Sequence, residues 1–311
     1  MIRENEIVKI LSDLLTPEQV KTAVPLSTLT TMRVGGPADV VVTPYGKQQT
    51  LQVLKTLAQE AVPYMVLGHG SNVLASDIGY DGVIVRLCEN MQRVSVQGNL
   101  LIAEAGASLA SMARIAASKG LSGLEFASGI PGVLGGAIYM NAGAYDGEMK
   151  DIVQEVEVCD MTGKVMKLDR SEMAFGKRTS ILQQKSWICL SAVLQLTEGD
   201  PEKILEKMKD FNDRRRDKQP LELPSAGSVF KRPEGYFAGA LIEQAGLKGM
   251  RVGGAEVSTK HAGFIVNVDH ATAKDVVDLI RLVQQKVKDM SGVELEPEVR
   301  YLAPGGIDNL R

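Results

Sequence analysis

The chain has 311 residues, 44% of them hydrophobic and 23% charged, which is more than one hydrophobic core usually takes, so we expect two or three domains. Its net charge of -3 comes from 35 basic and 38 acidic residues spread along the chain, which supplies no strong positive field and argues against a nucleic-acid partner. The three cysteines and three histidines are too scattered for a disulfide framework or a metal site, and we expect neither.

The first 86 residues alternate helical and extended patterns. They predict a helix at Asn5–Asp13, a strand at Val40–Thr43, a helix at Lys47–Glu60, and strands at Tyr64–Leu67 and Gly82–Leu87. This alternation indicates a small α/β unit. The N-terminus lacks the apolar core of a secretion signal, and no later stretch has the roughly 20 apolar residues that a membrane span needs. We therefore expect a cytoplasmic protein with no membrane partner.

Residues 87–200 are dominated by hairpin patterns. Strands are predicted at Arg93–Val96 and Leu100–Glu104, at Glu155–Asp160 and Val165–Leu168, and at Trp187–Leu196. Between the two hairpins, Ser108–Lys119 has helical spacing and ends at Gly120, a typical C-terminal helix cap. The segment is therefore predicted to be an α+β subdomain. Cys88, Cys159 and Cys189 each lie in an apolar run and are predicted to be reduced core residues.

Residues 201–311 form the third predicted domain. The patterns predict helices at Pro201–Arg216, Ala238–Ala245 and Ala273–Met290, and strands at Gly263–Val268 and Glu298–Leu302.

Glycines are concentrated in four predicted loops at residues 33–37, 68–72, 129–137 and 141–143. Such loops bring the backbone close to a ligand and can aim amide N–H groups at a diphosphate. For any one of them alone a tight turn is the better explanation, but four together favour a ligand site. None has the Gly-x-Gly-x-x-Gly or the Gly-Lys-Ser/Thr ending of the standard nucleotide-binding motifs.

The order of these motifs resembles the UDP-N-acetylenolpyruvoylglucosamine reductases over nearly the whole chain. The matching segments are Thr31–Gly36, Leu67–Asn72, Gly129–Ala137, Asn141–Gly143, Lys177–Ser180, Pro224–Pro233, Gly239–Gly249 and Leu295–Arg300. The chain is similar to the shorter, type II members, because it lacks the C-terminal segment that carries a substrate-covering tyrosine in longer ones.

The resemblance implies an α+β protein with a two-subdomain FAD-binding fold of the vanillyl-alcohol-oxidase type (residues 1–86 and 87–200) and a C-terminal UDP-sugar domain (201–311). It implies noncovalent FAD, NADPH as hydride donor, and reduction of UDP-N-acetylglucosamine enolpyruvate to UDP-N-acetylmuramate for peptidoglycan synthesis. We expect a monomer. The cofactor-binding positions it implies are Arg33, Gly35, Gly36, Gly68, Gly70, Ser71, Asn72, Gly129, Gly132, Gly135, Gly136, Ala137, Asn141 and Gly143.

The resemblance also implies three catalytic residues, Arg178, Ser228 and Glu298. A guanidinium suits the substrate carboxylate through its fork of donors, a carboxyl group can share stabilisation of the developing charge, and a serine can supply a proton if cations lie nearby. Glu296 competes with Glu298, because alternation along the predicted strand puts both on one face.

Substrate contacts are expected from Arg214, Lys218 and Lys231. The two lysines would also supply the cationic field that the serine needs. His69, between two glycines in a loop, is expected to face solvent.

Two alternative functions stay open on the residues themselves. One is an FAD-linked oxidase or dehydrogenase of the same fold that acts on an alcohol or lactone. The other is a catalytically silent nucleotide-sugar-binding protein, which would have lost the three catalytic residues.

Overall fold

The computed structural model of this protein describes residues 4–310. These residues form two compact units. Unit 1 comprises residues 4–21, 41–69 and 84–214, and unit 2 comprises residues 22–40, 70–83 and 215–310.

Helices of the described residues follow apolar spacing and end at caps. They are α1 Glu4–Leu11, α2 Gly46–Gln59, α3 Leu109–Ser118, α4 Leu134–Met140, α5 Met149–Ile152, α6 Ile181–Lys185, α7 Pro201–Lys218, α8 Ala238–Gln244 and α9 Ala273–Ser291. In α9, the side chain of Thr272 accepts a hydrogen bond from the amide of Asp275, and the helix ends at Gly292 with φ +72°. These are the start and stop signals that a capped helix needs.

The strands lie in short antiparallel sheets for the most part. They are β1 Val20–Pro25, β2 Pro37–Val42, β3 Tyr64–Leu67, β4 Val73–Ala75, β5 Tyr80–Arg86, β6 Val94–Gln97, β7 Leu100–Glu104, β8 Leu121–Ser122, β9 Gly143–Ala144, β10 Gly147–Glu148, β11 Val153–Cys159, β12 Val165–Asp169, β13 Ile188–Gln195, β14 Thr197–Glu198, β15 Ser225–Ser228, β16 Arg251–Val252, β17 Ala255–Val257, β18 Phe264–Asn267, β19 Arg300–Ala303 and β20 Gly306–Asn309. One sheet has the order β1-β2-β5-β3.

Unit 1 is built on a five-stranded antiparallel sheet with the order β12-β11-β13-β7-β6. Helix α4 packs against β13 and β7 of this sheet. Cys159 in β11 and Cys189 in β13 are buried in it, and burial raises the pKa of each thiol to about 12. Together with the buried thiol of Cys88, they are free, which confirms the predicted reduced core cysteines.

Unit 2 has a four-stranded antiparallel sheet with the order β15-β18-β17-β16 and a three-stranded sheet with the order β20-β19-β4. Helix α9 packs against β16, β17 and α8. Its buried stripe of Val276, Leu279, Ile280, Val283 and Val287 belongs to a core with Leu241, Ile242, Val257 and Ile265. This core therefore packs on one face of the four-stranded sheet. The chain leaves that sheet at the end of β15 and continues into the next loop.

The structure corrects two of the predicted elements. The predicted loop at residues 129–137 is helical from Leu134 onwards, because α4 spans Leu134–Met140; its glycine pair conceals the helical pattern. The last predicted strand begins at Arg300 and not at Glu298, because a bend at Val299 interrupts the extended backbone. Glu296 and Glu298 flank Pro297, which forms an isolated antiparallel bridge with Phe230, so both precede the strand.

Several elements were not predicted. The short strands β1, β4, β15, β16, β17 and β20 are two to six residues long and carry little pattern of their own. The other predicted helices and strands are present with boundaries shifted by a few residues. The α+β class is confirmed.

Candidate functional site

In unit 1, Arg178 lies in a tight turn that is fastened to the end of α4. Its backbone is left-handed, with φ +56°, and its Nη2 donates to the Gly143 carbonyl at 3.2 Å. Gln183 Nε2 donates to the carbonyl of Arg178 at 3.0 Å and to that of Tyr139 at 2.8 Å. The left-handed backbone and these hydrogen bonds fix the position of the half-buried Arg178. An arginine that only formed an ion pair on the surface would not need such a fixed backbone.

Asn141 joins α4 to that turn. It is fully buried and left-handed, with φ +43°. Its Nδ2 donates to Glu148 Oε2 at 2.7 Å and to the Gly176 carbonyl at 3.0 Å, and its Oδ1 accepts from the amide of Lys150 at 2.9 Å. Both amide hydrogens are engaged by protein, so this predicted cofactor residue holds the loop and the turn in place.

The glycines of α4 differ in what surrounds them. A Cβ on Gly135 would lie 3.2 Å from the Cβ of Ala105, whereas a Cβ on Gly136 would meet no atom within 4 Å. Gly136 is exposed and helical, where glycine costs about 1 kcal/mol relative to alanine. Neither packing against the protein nor a positive φ requires glycine here, and the open position leaves room for the backbone to approach a ligand such as FAD.

The other predicted glycines have packing reasons. A Cβ on Gly68 would lie 2.5 Å from Val133 Cγ2 in unit 1. In unit 2, a Cβ added to Gly35 (φ +128°) would lie 2.6 Å from the Cβ of Ala75. A Cβ on Gly36 would lie 2.2 Å from the carbonyl oxygen of Asp77, and one on Gly70 (φ +61°) would lie 2.4 Å from the carbonyl oxygen of Leu29. Their presence alone does not demonstrate a ligand.

The remaining predicted cofactor positions differ in exposure. Arg33 is exposed with φ +56°, Ser71 is half-buried, and Ala137 is buried. Gly129 and Gly132 are half-buried in the loop that precedes α4, and Gly143 lies in β9. His69 is exposed, as expected.

Ser228 lies on a β-bulge in unit 2. Opposite β18, Ser225 pairs with Val266 and Ser228 pairs with Phe264, so the β15 side has one extra residue. Gly227 takes a left-handed φ of +77°, which glycine adopts without strain. Bulges redirect the side chains that follow them, and the exposed Ser228 faces a cavity.

That cavity has a volume of about 500 Å³ and lies wholly within unit 2. Its charged lining residues are Asp217, Lys218, Arg232, Glu243 and Lys260. Lys218 therefore shares the cavity with Ser228, as the proton-donor hypothesis requires. Lys231 is not among the lining residues, and its Nζ lies 2.5 Å from Glu296 Oε1.

Glu298 lies beside the backbone that follows Ser228. Its amide donates to the Val229 carbonyl at 2.7 Å, and its carbonyl accepts from Asn72 Nδ2 at 3.2 Å. Asn72, predicted to bind cofactor, here fixes the Glu298 backbone. Glu296 is an exposed partner of Lys231, whereas Glu298 is half-buried, and this difference favours Glu298 as the catalytic carboxyl group.

Arg214, the remaining predicted substrate contact, is exposed on α7 in unit 1. Its Nη2 lies 2.7 Å from Asp210 Oδ2, one helical turn away.

The three candidate catalytic residues belong to different units: Arg178 belongs to unit 1, whereas Ser228 and Glu298 belong to unit 2.

His261 is a cavity residue that sequence reasoning missed. Its Nδ1 accepts the amide hydrogen of Gly263 at 3.0 Å, so in the neutral ring the proton is on Nε2. Burial lowers the pKa of His261, with Lys248 and Lys218 acting in the same direction. His261 therefore presents a neutral Nε2–H donor at the cavity. Its position between Lys260 and Ala262 gave no local signal.

Among residues 4–310, no group of three or more histidine, cysteine or acidic side chains is arranged to hold a metal ion. Over the same residues, no helix has the length and apolar character needed to cross a bilayer.

Two family models and several known proteins are similar to this chain. Residues 38–169 match the family model described as an FAD binding domain, and residues 219–302 match that of the UDP-N-acetylenolpyruvoylglucosamine reductase C-terminal domain. UDP-N-acetylenolpyruvoylglucosamine reductases from Caldanaerobacter subterraneus subsp. tengcongensis and Alkaliphilus oremlandii are 51% and 48% identical; the matches cover 89% and 94% of this chain and 92% and 97% of theirs.

A solved structure of the reductase from Thermus caldophilus is 40% identical, with a TM-score of 0.78 over 89% of this chain and 97% of that one. Identities of this size over almost the full length of both chains show common descent of the whole protein and not of one domain alone. The chain belongs to the UDP-N-acetylenolpyruvoylglucosamine reductase family.

Proposed function

We propose that this protein catalyses the NADPH-dependent, FAD-mediated reduction of UDP-N-acetylglucosamine enolpyruvate to UDP-N-acetylmuramate in peptidoglycan precursor synthesis. The observation that carries the proposal is the bulge that directs Ser228 into a cavity shared with Lys218. Family membership supports the same reaction. A silent nucleotide-sugar-binding protein would have no need of Arg178, Ser228 and Glu298, all of which the chain retains.

The exposed face of α4 at Gly136, where an added Cβ would meet no protein atom within 4 Å, would help to hold FAD. When bound, FAD would supply hydride transfer between NADPH and the enolpyruvyl group. The loops that contain Arg33, Ser71 and Gly129 complete the proposed binding residues, together with Gly35, Gly36, Gly68, Gly70, Asn72, Gly132, Gly135, Ala137, Asn141 and Gly143.

Arg178 is proposed to bind and polarise the substrate carboxylate. Hydride addition at C3 places negative charge on C2 and the carboxylate, so a fixed guanidinium stabilises the product of that step. The turn that holds Arg178 to Gly143 keeps its rotamer ready. Glu298 is proposed to share the stabilisation of this charge.

Ser228 is proposed to donate the proton that C2 requires. One hydride at C3 and one proton at C2 balance the reduction of the double bond. A serine hydroxyl is a weak acid, and the positive charge of Lys218 in the same cavity stabilises the alkoxide left behind. Lys218 also serves, with Arg214 and Lys231, as a proposed contact of the anionic substrate.

The remaining assignments are proposals of the same kind. We place the FAD-binding subdomains at residues 1–86 and 87–200 and the substrate domain at 201–311, in a type II reductase. The protein is proposed to act as a cytoplasmic monomer.

Product formation tests the proposed function. Purified protein with FAD, NADPH and UDP-N-acetylglucosamine enolpyruvate should yield a product heavier by two hydrogen atoms, detected by mass spectrometry. Ser228→Ala should form it far more slowly while still oxidising NADPH in its first half-reaction. A wild-type protein that binds FAD but forms none of this product would refute the proposal.

A further inference from the structure

We propose that Arg232 and Phe237 form a stacking platform for the uracil base of the UDP-sugar. The inference rests on the proposed function and names the residues that hold the nucleoside. Both side chains line the cavity that contains Ser228. Neither was singled out from the sequence, where Arg214, Lys218 and Lys231 were the expected substrate contacts.

The two side chains already form a flat, layered pair. The guanidinium carbon of Arg232 lies 3.9 Å from the centroid of the Phe237 ring, a distance typical of stacking between a cation and an aromatic face. Arg232 Nε donates to the carbonyl of Tyr236 at 3.3 Å. This hydrogen bond restricts the guanidinium, so a ligand that stacks on the pair would lose little side-chain entropy.

Phe237 is exposed to an extent that its own fold does not explain. Its relative exposure is 61%, although burial of a phenylalanine side chain stabilises a folded protein. It stands immediately before α8, whose first residues, Ala238, Gly239 and Ala240, also line the cavity and are small. Small neighbours leave room beside the ring, as a planar ligand requires.

The charges of the cavity indicate that the ligand also carries an anionic group. Three cationic side chains, Arg232, Lys218 and Lys260, line it against two carboxylates, Asp217 and Glu243, and Glu243 is paired with Lys248 at 2.8 Å. His261 adds a neutral N–H donor, as derived above. An aromatic face and a cationic wall in one cavity match a nucleoside diphosphate, whose base stacks and whose phosphates bind cations.

Neighbouring tyrosine Tyr236 provides a matched control. It is 49% exposed but is not among the residues that line the cavity. Substitution of Tyr236 by alanine therefore removes an exposed aromatic ring from the same loop without removing the platform.

The experiment is isothermal titration of FAD-loaded protein with UDP and, separately, with inorganic pyrophosphate. Stacking on an aromatic side chain contributes about 1–3 kcal/mol per base, so Phe237→Ala should weaken UDP binding by about 5- to 150-fold. Pyrophosphate has no base, and its affinity should change by less than about twofold. Tyr236→Ala should bind both as wild type does, and Phe237→Tyr should retain UDP binding. Thermal melting of each variant checks the fold.

The outcomes separate this inference from the proposed function. The platform is wrong if wild type and Phe237→Ala bind UDP equally well. It is also wrong if Phe237→Ala loses affinity for UDP and for pyrophosphate to the same degree. Neither result affects the proposed function. If wild-type protein binds FAD but no UDP, the proposed function and the platform both fail. Selective loss of UDP binding in Phe237→Ala supports the platform.

Discussion

Replacement of Gly136 by alanine should separate the stability of the protein from its affinity for FAD. The added Cβ meets no protein atom within 4 Å, and the position is helical. In the absence of FAD, the substitution should therefore raise the free energy of unfolding by about 0.5–1 kcal/mol, because alanine is the better helix former and narrows the unfolded ensemble.

The affinity for FAD should fall, whereas the stability of the apoprotein rises. If the diphosphate approaches the backbone at Gly136, the methyl group occupies its space. Forcing a methyl group into a packed contact costs about 1–3 kcal/mol, which corresponds to a dissociation constant about 5- to 150-fold larger.

Gly135→Ala is the control in the same helix. Its Cβ would lie 3.2 Å from the Cβ and 3.3 Å from the backbone oxygen of Ala105, so the turn that follows β7 must yield by a few tenths of an ångström. The apoprotein should be less stable than wild type, whereas Gly136→Ala should not be.

Urea unfolding of the apoprotein and quenching of flavin fluorescence on titration with apoprotein measure the two quantities. Neither depends on turnover. A Gly136→Ala protein that binds FAD as tightly as wild type would contradict the assignment of α4 to the cofactor site.

Three further results follow from the structure. Gly36→Ala should lower the free energy of unfolding by about 1–3 kcal/mol or more, measured in urea, because its Cβ would lie 2.2 Å from the backbone oxygen of Asp77; wild-type stability would contradict this packing. Glu298→Gln should lower kcat by about 10²- to 10⁴-fold while Glu296→Gln stays near wild type in steady-state assays, and the reverse order would move the catalytic role to Glu296. Burial tends to raise the pKa of Glu125, but hydrogen bonds from Ser122 Oγ and from backbone amides, together with the charge of Lys207, lower it below 4.5 overall. The ionised Glu125 carboxylate therefore stabilises the folded protein above pH 4.5. This stabilisation is lost as the pH falls through the lower pKa of the folded state. Acid titrations of unfolding should show that Glu125→Gln removes part of this loss, and an unchanged profile would refute it.

Elements with local signals were predictable from the sequence. The hairpin of β6 and β7 turns at Gly98 with φ +59°, and α3 begins at Ser108, whose side chain accepts from the amide of Ser111. In each case the sequence contains the residue that the local backbone requires. Such signals need no knowledge of distant contacts.

The parts of the site that depend on distant contacts were not predictable. Asn72 fixes the backbone of Glu298 across 226 positions of sequence, and the strand pairing that creates the bulge at Gly227 joins β15 to β18. The resemblance favoured Glu298 over Glu296, whereas alternation along the strand could not separate them. The structure adds that Glu296 is paired with Lys231.

The cavity residues show the same limit. A phenylalanine just before a helix is typical of a core, and His261 follows the polar run 258–260 outside the segments that matched the family, so neither residue carried a functional signal. Only their common position in the cavity with Ser228 distinguishes them.

Reoxidation of the reduced flavin tests the central claim most directly. The FAD-loaded protein is reduced with NADPH under anaerobic conditions, UDP-N-acetylglucosamine enolpyruvate is added, and the visible flavin absorbance is followed by stopped flow. Rapid return of the oxidised spectrum in wild type, and slow return in Ser228→Ala, is the predicted result. A reduced flavin that the enolpyruvyl substrate leaves unchanged, but that oxygen reoxidises, would contradict the reductase and favour an oxidase.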